Sequence, residues 1–188
     1  MTIKFRQALY GLLLIMTSLM FARAICADQS APELPGLFDE LLVAANQSES
    51  SSLEYRIWQL WLKAPDKNAG LLSSQLTLAM QGGELQLALR LADQLIDGNP
   101  DYAEAWNKRA TIHYLQGDDD LSVADIRETL AREPRHFGAI SGLGLIFMRQ
   151  GDMEAALEAF EQVLAISPAS ENAKRSVERV KSELGQEI

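Results

Sequence analysis

The chain has 188 residues, of which 47% are hydrophobic, so it is long enough and apolar enough to bury the core of one domain. Its formal charge is −9, and the first 27 residues contain no acidic side chain, so the remainder of the chain is more acidic still. Because an acidic surface repels a phosphate backbone, this composition argues against nucleic acid as a partner and leaves the actual partner open.

Residues 1–27 have the three parts of a secretory signal peptide. A positively charged start is followed by an almost wholly apolar run at residues 8–21 and then by small residues. Cleavage after Ala27 is preferred to cleavage after Ala24, because it begins the secreted chain with polar residues. The alternative is an uncleaved N-terminal anchor, but the apolar run is shorter than the ~20 residues that a membrane-spanning helix needs, which favours cleavage.

These features predict an exported protein, periplasmic if its source is bacterial, with no stable membrane insertion after cleavage. The only cysteine, Cys26, would be removed with the signal, which leaves no thiol for a disulfide or a Cys-rich metal site. Lipid attachment at Cys26 is a further option, but Ile25 stands where bacterial lipoproteins carry a small residue. Residues 28–35 are expected to form a flexible leader.

Two apolar stripes at helical spacing predict a helical hairpin over residues 36–65. Phe38 lies in the first stripe, and Ile57 and Trp61 lie in the second. The proline that ends the pair, Pro65, falls one residue out of step with the period that follows. The pair is therefore interpreted as an irregular N-terminal cap or a diverged repeat unit.

Three prolines, Pro100, Pro134 and Pro168, are spaced 34 residues apart, and each follows an amphipathic segment. A proline ends a helix and begins the turn into the next element. Three glycines repeat at the same interval inside the units: Gly83, Gly117 and Gly151. The spacing predicts three helix-turn-helix units. Their ranges are residues 69–102, 103–136 and 137–169.

The third unit carries the positions Ile140, Leu143, Gly144, Phe147, Ala156 and Phe160 at fixed spacing. In these residues and in the period, the chain resembles the tetratricopeptide-repeat (TPR) family. The second unit matches well through Trp106 and Ala110, whereas the first is degenerate because Leu76 replaces a small residue. The resemblance implies an all-α, right-handed solenoid of about three units, in which Gly144 lets two helices approach closely.

Residues 170–188 are predicted to form a C-terminal capping helix and tail. Ala173, Val177 and Val180 share one face of this helix, and its other face is charged. Such a helix can seal the last unit of a solenoid against water.

In TPR proteins the first helix of each unit lines a concave groove, which usually holds a peptide or a partner helix. The resemblance therefore implies a partner-binding site on these helices, where residues at i, i+4 and i+7 share one face. Asn107 is the best single candidate, because its amide pairs with both the donor and the acceptor of a peptide backbone. The candidate rows are Ser73, Asn107 and Ser141; Thr77, Thr111 and Leu145; and Met80, Tyr114 and Met148.

TPR domains that bind chaperones grip a C-terminal carboxylate with Lys, Asn and Arg side chains of neighbouring first helices. Asn107 and Lys108 match part of that grip. Ser73, Gly138 and Gly142 leave its other positions empty, so a carboxylate clamp is not expected. The two glycines leave room for close approach, either by a partner or by another helix of the chain.

The sequence argues against an enzyme. It contains no phosphate-binding glycine loop, no metalloprotease helix motif and no nucleophile elbow. Of the two histidines, His113 is expected to pack between helices and His136 to be exposed in a turn. No cofactor and no metal are expected.

The leading hypothesis is a non-catalytic protein–protein interaction module that acts as a scaffold or assembly factor in the cell envelope. The alternative is a self-associating structural protein, in which the groove or an exposed end of the repeats packs on another copy. An enzyme-associated regulatory subunit is a further alternative.

Overall fold

The structure is a computed structural model that describes residues 31–185. This part of the chain consists of nine α-helices joined by short turns. The helices are α1 Leu34–Leu42, α2 Gln47–Trp61, α3 Lys67–Gln81, α4 Leu85–Gly98, α5 Ala103–Gln116, α6 Asp119–Arg132, α7 Phe137–Gln150, α8 Met153–Ile166 and α9 Glu171–Glu183. The predicted signal peptide, the start of the leader and the last three residues lie outside the described residues.

Six helices form the three expected antiparallel pairs, α3 with α4, α5 with α6, and α7 with α8. In the second and third units the first helix ends at a glycine in the left-handed conformation, with φ of 85° at Gly117 and 78° at Gly151. Glycine adopts this conformation without the steric penalty of a side chain, which explains why it recurs there. Asp152 then caps α8 by accepting a hydrogen bond from the Ala155 N–H at 3.2 Å. The all-α solenoid expected from the period is confirmed.

Small residues set the distance between the two helices of a unit. A Cβ added to Gly144 would lie 2.6 Å from the Phe160 ring, so the ring packs directly on the α7 backbone. In the second unit, Ala110 is buried and its carbonyl accepts a hydrogen bond from the Ser122 hydroxyl at 2.8 Å. The close helix packing predicted for Gly144 is confirmed.

The buried apolar residues form two separate clusters. The smaller cluster joins the first unit to α5 and is rich in alanine, with Leu76, Leu95 and Ile112 among its larger members. The larger cluster contains the third unit, part of the second unit, α9 and the N-terminal hairpin. Within it, α9 buries Ala173, Val177 and Val180, the three residues predicted to seal the last unit.

The N-terminal hairpin lies along the edge of the solenoid that is formed by the turns between units. Near the start of α2, the hydroxyls of Ser50 and Ser167 are 2.9 Å apart. At the end of α2, Trp61 stacks on His136 with 4.2 Å between ring centroids. The segment after α2 shares a cleft with the turn at residues 98–102. Helix α2 therefore runs past the turns at Ser167 and His136, and the segment that follows it lies beside the turn at residues 98–102.

This position differs from the end of the first unit, where a cap would lie. The buried residues of the hairpin, such as Leu53 and Ile57, belong to the larger cluster rather than to the cluster of the first unit. An amphipathic stripe predicts which face of a helix is buried but not which surface covers it. The location of the hairpin thus depends on tertiary contacts that its own sequence pattern does not contain.

Candidate partner-binding groove

The nine predicted residues lie on the first helices of the three units. Thr111 and Leu145 are exposed, and the other seven are half-buried. Three hydroxyls donate to the carbonyl four residues earlier: Thr77 to Ser73 at 2.8 Å, Thr111 to Asn107 at 3.0 Å, and Ser141 to Phe137 at 2.8 Å. Because these protons are used within the helices, the hydroxyls offer lone pairs, rather than donors, to a ligand.

A chain of polar contacts orients Asn107. Its Nδ2 donates to Glu104 Oε2 at 3.0 Å, and the same oxygen lies 3.3 Å from His136 Nε2. The Nδ1 atom of His136 accepts the Ala139 N–H at 3.1 Å, so the neutral ring carries its proton on Nε2 and donates it to Glu104. The Oδ1 atom of Asn107 and its second amide proton remain for a ligand.

The prediction that His136 is exposed is wrong. The side chain is 0% exposed, because Trp61 stacks on one face of the imidazole with an interplanar angle of 10°. Trp58 meets the same ring edge to face at 5.3 Å. A turn position indicates exposure only where nothing packs over the turn, and here α2 does. Glu104, which sequence reasoning also missed, is 3% exposed beneath this contact.

Both unexplained glycines of α7 are accounted for by contacts within the chain. A Cβ on Gly138 would lie 2.8 Å from two atoms of the Trp58 ring, so the indole occupies the space beside this residue. A Cβ on Gly142 would lie 3.3 Å from Ile126 Cδ1 in the preceding unit. The room predicted at these positions is therefore taken by α2 and α6.

The cation predicted near Asn107 is already paired. Lys108 Nζ lies 3.6 Å from Glu104 Oε1 and 3.4 Å from Thr77 Oγ1, and its side chain is mostly buried. These contacts connect the first helix of the second unit to that of the first unit. With its charge balanced by Glu104, Lys108 is poorly placed to bind a free carboxylate.

Tyr114, in the third row, is partly covered by an arginine. The guanidinium of Arg149 lies 3.8 Å from the Tyr114 ring centroid and donates to the Tyr114 carbonyl at 2.9 Å. Arg149 also pairs with Asp119. One face of the tyrosine is therefore occupied by a cation–π contact, which fixes the ring at the end of the row.

The most strongly paired charges lie outside the groove, within the second unit and between it and the first. Arg109 donates to both oxygens of Asp125, at 2.8 and 2.7 Å, and to Asp93 of the first unit at 2.7 Å. The hydrogen bond to Asp125 raises the pKa of Arg109 further above its usual value. His113, predicted to pack between helices, is buried with Nε2 at 3.7 Å from Asp125 Oδ2. This cluster joins the first and second units.

Residues 31–185 contain no group of three or more His, Cys, Asp or Glu side chains arranged to hold a metal ion. None of the nine helices in the same part of the chain is both long enough and apolar enough to cross a membrane.

Comparison with known families identifies the repeat. The sequence profile of the tetratricopeptide repeat matches residues 75–128 and 120–171, which together span more than half of the chain. The chain belongs to the tetratricopeptide-repeat family. TPR domains mediate protein–protein interaction and are generally non-catalytic.

Individual TPR proteins show how far the similarity extends. A TPR repeat-containing protein of Rhizobium etli is 34% identical over 151 residues, covering 80% of this chain and 74% of the relative. The small glutamine-rich TPR protein 2 of Saccharomyces cerevisiae is 27% identical over 157 residues, 79% of this chain and 45% of that protein. The first TPR of Spaghetti (RPAP3), solved with the HSP90 peptide SRMEEVD, superimposes with a TM-score of 0.60. It is 17% identical and covers 65% of this chain and 98% of that chain, so this likeness shows the fold alone.

Proposed function

We propose that this TPR protein is an exported, non-catalytic adaptor that binds a peptide or helix of another envelope protein in its groove, as a scaffold or assembly factor. The observation that carries the proposal is the preset amide of Asn107, which Glu104 and His136 orient from behind. When a polar side chain is already ordered before binding, less conformational entropy is lost when the ligand binds. Membership of a family of interaction modules supports the same function.

The chemistry of the groove favours an uncharged or basic segment as the ligand. Glu104 lies 3.0 Å from the Asn107 amide and balances Lys108, so an acidic C-terminus would meet a carboxylate without gaining a free cation. The RPAP3 domain binds an HSP90 peptide that ends in Glu-Glu-Val-Asp. We expect this groove to reject such a tail and to select backbone hydrogen bonds and apolar contacts, the latter at Met80 and Met148.

Export rests on residues 1–27 and has its own test. If the segment is a cleaved signal, the intact mass of protein recovered from an envelope extract corresponds to a chain that begins at Asp28. A mass that still includes residues 1–27 would instead support the N-terminal anchor.

The groove is tested by crosslinking the tagged protein in cells and identifying its partners by mass spectrometry. Asn107→Ala should abolish capture of a specific envelope protein while leaving the circular dichroism spectrum unchanged. Asn172→Ala is the matched control, because Asn172 is an exposed amide on α9, away from the groove. Asn172→Ala should keep capture, and capture that also persists in Asn107→Ala would place the binding site outside the groove.

A further inference from the structure

The first helix of the first unit leaves uncovered an apolar face that is buried in the other two units. Leu78 is 67% exposed, whereas its equivalents 34 and 68 residues later, Ile112 and Ile146, are 0% exposed. Leu71 is 66% exposed, whereas Ala105 and Ala139 at the equivalent positions are buried. In α5 and α7 this face packs on the preceding unit. Within residues 31–185 no repeat unit precedes α3, and the N-terminal hairpin lies along the turns instead.

The exposed face of α3 suits a second copy of the same helix. The whole chain carries a charge of −9, yet Lys67 is the only charged residue among the 15 residues of α3. Two such helices can therefore meet without the repulsion that would oppose most other pairings of this acidic surface. Between the leucines, Ser74 and Gln75 are exposed and uncharged.

The spacing of the two leucines makes the face complementary to itself in an antiparallel pair. Leu71 and Leu78 are two helical turns apart, so a twofold axis near Ser74 and Gln75 places Leu71 of one copy against Leu78 of the other. Ser74 is small and already donates to the Gly70 carbonyl at 2.8 Å, so it allows close approach at the axis. An isologous contact of this kind buries all four leucines.

Beside the capping Asp66, the leucine face of α3 is flanked by one cation in its first turn and by one carboxylate beyond its last turn, which an antiparallel pair would bring together. Lys67 lies at the first position of α3 on the same stripe as Leu71, and Glu84 follows the end of the helix. Both residues are exposed. In the register set by the leucines, Lys67 of one copy lies close to Glu84 of the other at each end of the contact.

The opposite end of the solenoid is unsuited to the same role. Helix α9 covers the third unit, and its outward side chains include four exposed charges: Arg175, Glu178, Arg179 and Glu183. Association through α3 therefore closes after two copies instead of extending into a filament. We propose that the protein forms a twofold dimer through antiparallel contact of its α3 helices.

The dimer is tested by measuring molar mass in solution over a concentration series, by light scattering and sedimentation. We expect a dimer for the wild type and a monomer for Leu78→Glu and Leu71→Glu, with a dissociation constant raised about 100-fold or more by each change. Leu121→Glu is the matched control, because Leu121 is a comparably exposed leucine on α6. Circular dichroism checks that all variants keep their helical content.

A charge exchange tests the antiparallel register. Lys67→Glu and Glu84→Lys should each weaken the dimer, and the double variant should restore it, because each end of the contact then regains opposite charges. A wild type that remains monomeric at all concentrations overturns the proposal. So does a dimer that persists in Leu78→Glu, since it must use another surface. If the wild type is monomeric and Leu78→Glu no longer crosslinks to an envelope protein that the wild type captures, the α3 face binds that protein instead of a second copy, and the proposal is wrong. Asn107→Ala tests the groove independently.

Discussion

At the scale of single residues, some buried polar groups orient the side chains of the groove through hydrogen bonds, whereas others are buried without such a role. His136 and Glu104 satisfy each other and orient Asn107, so their burial supports the proposed site. Tyr102 is also buried, and its hydroxyl, which lies near Ser73, makes no hydrogen bond of good geometry. Burial and the charge of Glu104 raise the pKa of Tyr102 above its usual value near 10.

Tyr102→Phe should therefore alter the alkaline limb of the stability profile. The folded chain keeps the phenol neutral at a pH where the unfolded chain ionises it, so wild-type stability is complete below pH 10 and falls as the pH rises above it. At pH 7 we expect the variant to differ by no more than about 1 kcal/mol, because no hydrogen bond is lost. Urea denaturation from pH 7 to 12 measures both effects. Tyr55→Phe, at a 64% exposed tyrosine, should follow the wild type; parallel profiles for wild type and Tyr102→Phe would refute the argument.

Gly138→Ala should destabilise the contact between α2 and α7. The added methyl would overlap the far edge of the Trp58 ring, which is itself packed against Trp61, His136 and Phe137, so we expect a loss of about 1–3 kcal/mol. Gly36→Ala is the control, since no heavy atom lies within 4 Å of its Cβ position. That variant should gain about 0.5–1 kcal/mol from helix propensity. Equal shifts of the urea midpoint in the two variants would show that the Trp58 ring moves to accept the added methyl group without loss of stability.

At the scale of whole elements, α2 packs along one edge of the solenoid and contacts the turns that follow the second and third units. Its aromatic end covers His136, while near its start Ser167 bridges Ser50 and Glu54, donating to Glu54 Oε1 at 2.8 Å. The helix thus spans two inter-unit turns, whose backbones would otherwise be joined only through the solenoid itself. Because the His136 ring also caps α7, α2 contributes to the geometry of this groove helix through His136 as well as through the direct packing of Trp58 beside Gly138.

Trp61→Ala tests this packing. Removing the fully buried indole should cost about 3–5 kcal/mol and uncover His136. Amide exchange at Ala139, whose N–H is bonded to His136, should accelerate more than exchange in α4. Tyr55→Ala, on the exposed face of the same helix, should change neither quantity. If Trp61→Ala left Ala139 as protected as in the wild type, α2 would have no part in holding the first turn of α7.

The sequence predicted the features that depend on local backbone conformation, which recur with the repeat period. It did not predict the contacts between elements that are distant in sequence. The prolines and glycines located the helix pairs of the units, because each residue acts on the backbone at its own position. Trp58 and Trp61 indicated an apolar face, but nothing in α2 identifies the turn at His136 as its contact. For the same reason the buried role of Glu104 was not predicted, although its place three residues before Asn107 on one helix face was a usable signal.

At the scale of the whole molecule, the two apolar clusters predict two levels of stability. The cluster of the first unit contains 10 buried residues, mainly alanines and aliphatic side chains, whereas the other includes Trp61, Phe137 and Phe160. Less buried apolar area gives a smaller free energy of local opening. In a solenoid each unit contacts only its neighbours, so the first unit can open while the rest stays folded.

Matched leucine truncations test this division. Leu95 belongs to the smaller cluster and Leu143 to the larger one, and both leucines are buried, so Leu95→Ala and Leu143→Ala remove the same group from each cluster. We expect Leu95→Ala to accelerate amide exchange mainly in α3 and α4, because the first unit opens by itself, whereas Leu143→Ala should lower protection in the hairpin and from α7 to α9.

Association through α3 would slow amide exchange in the first unit in a concentration-dependent way. The exchange experiment therefore has to separate protection by the dimer from the intrinsic stability of the first unit. Repeating it with Leu78→Glu removes the proposed dimer contact without emptying either cluster, because Leu78 is exposed. In that background, α3 and α4 should exchange fastest among the helices of the units and respond to Leu95→Ala alone. Equal loss of protection in all helices for both truncations would instead mean that the two clusters unfold as one cooperative unit.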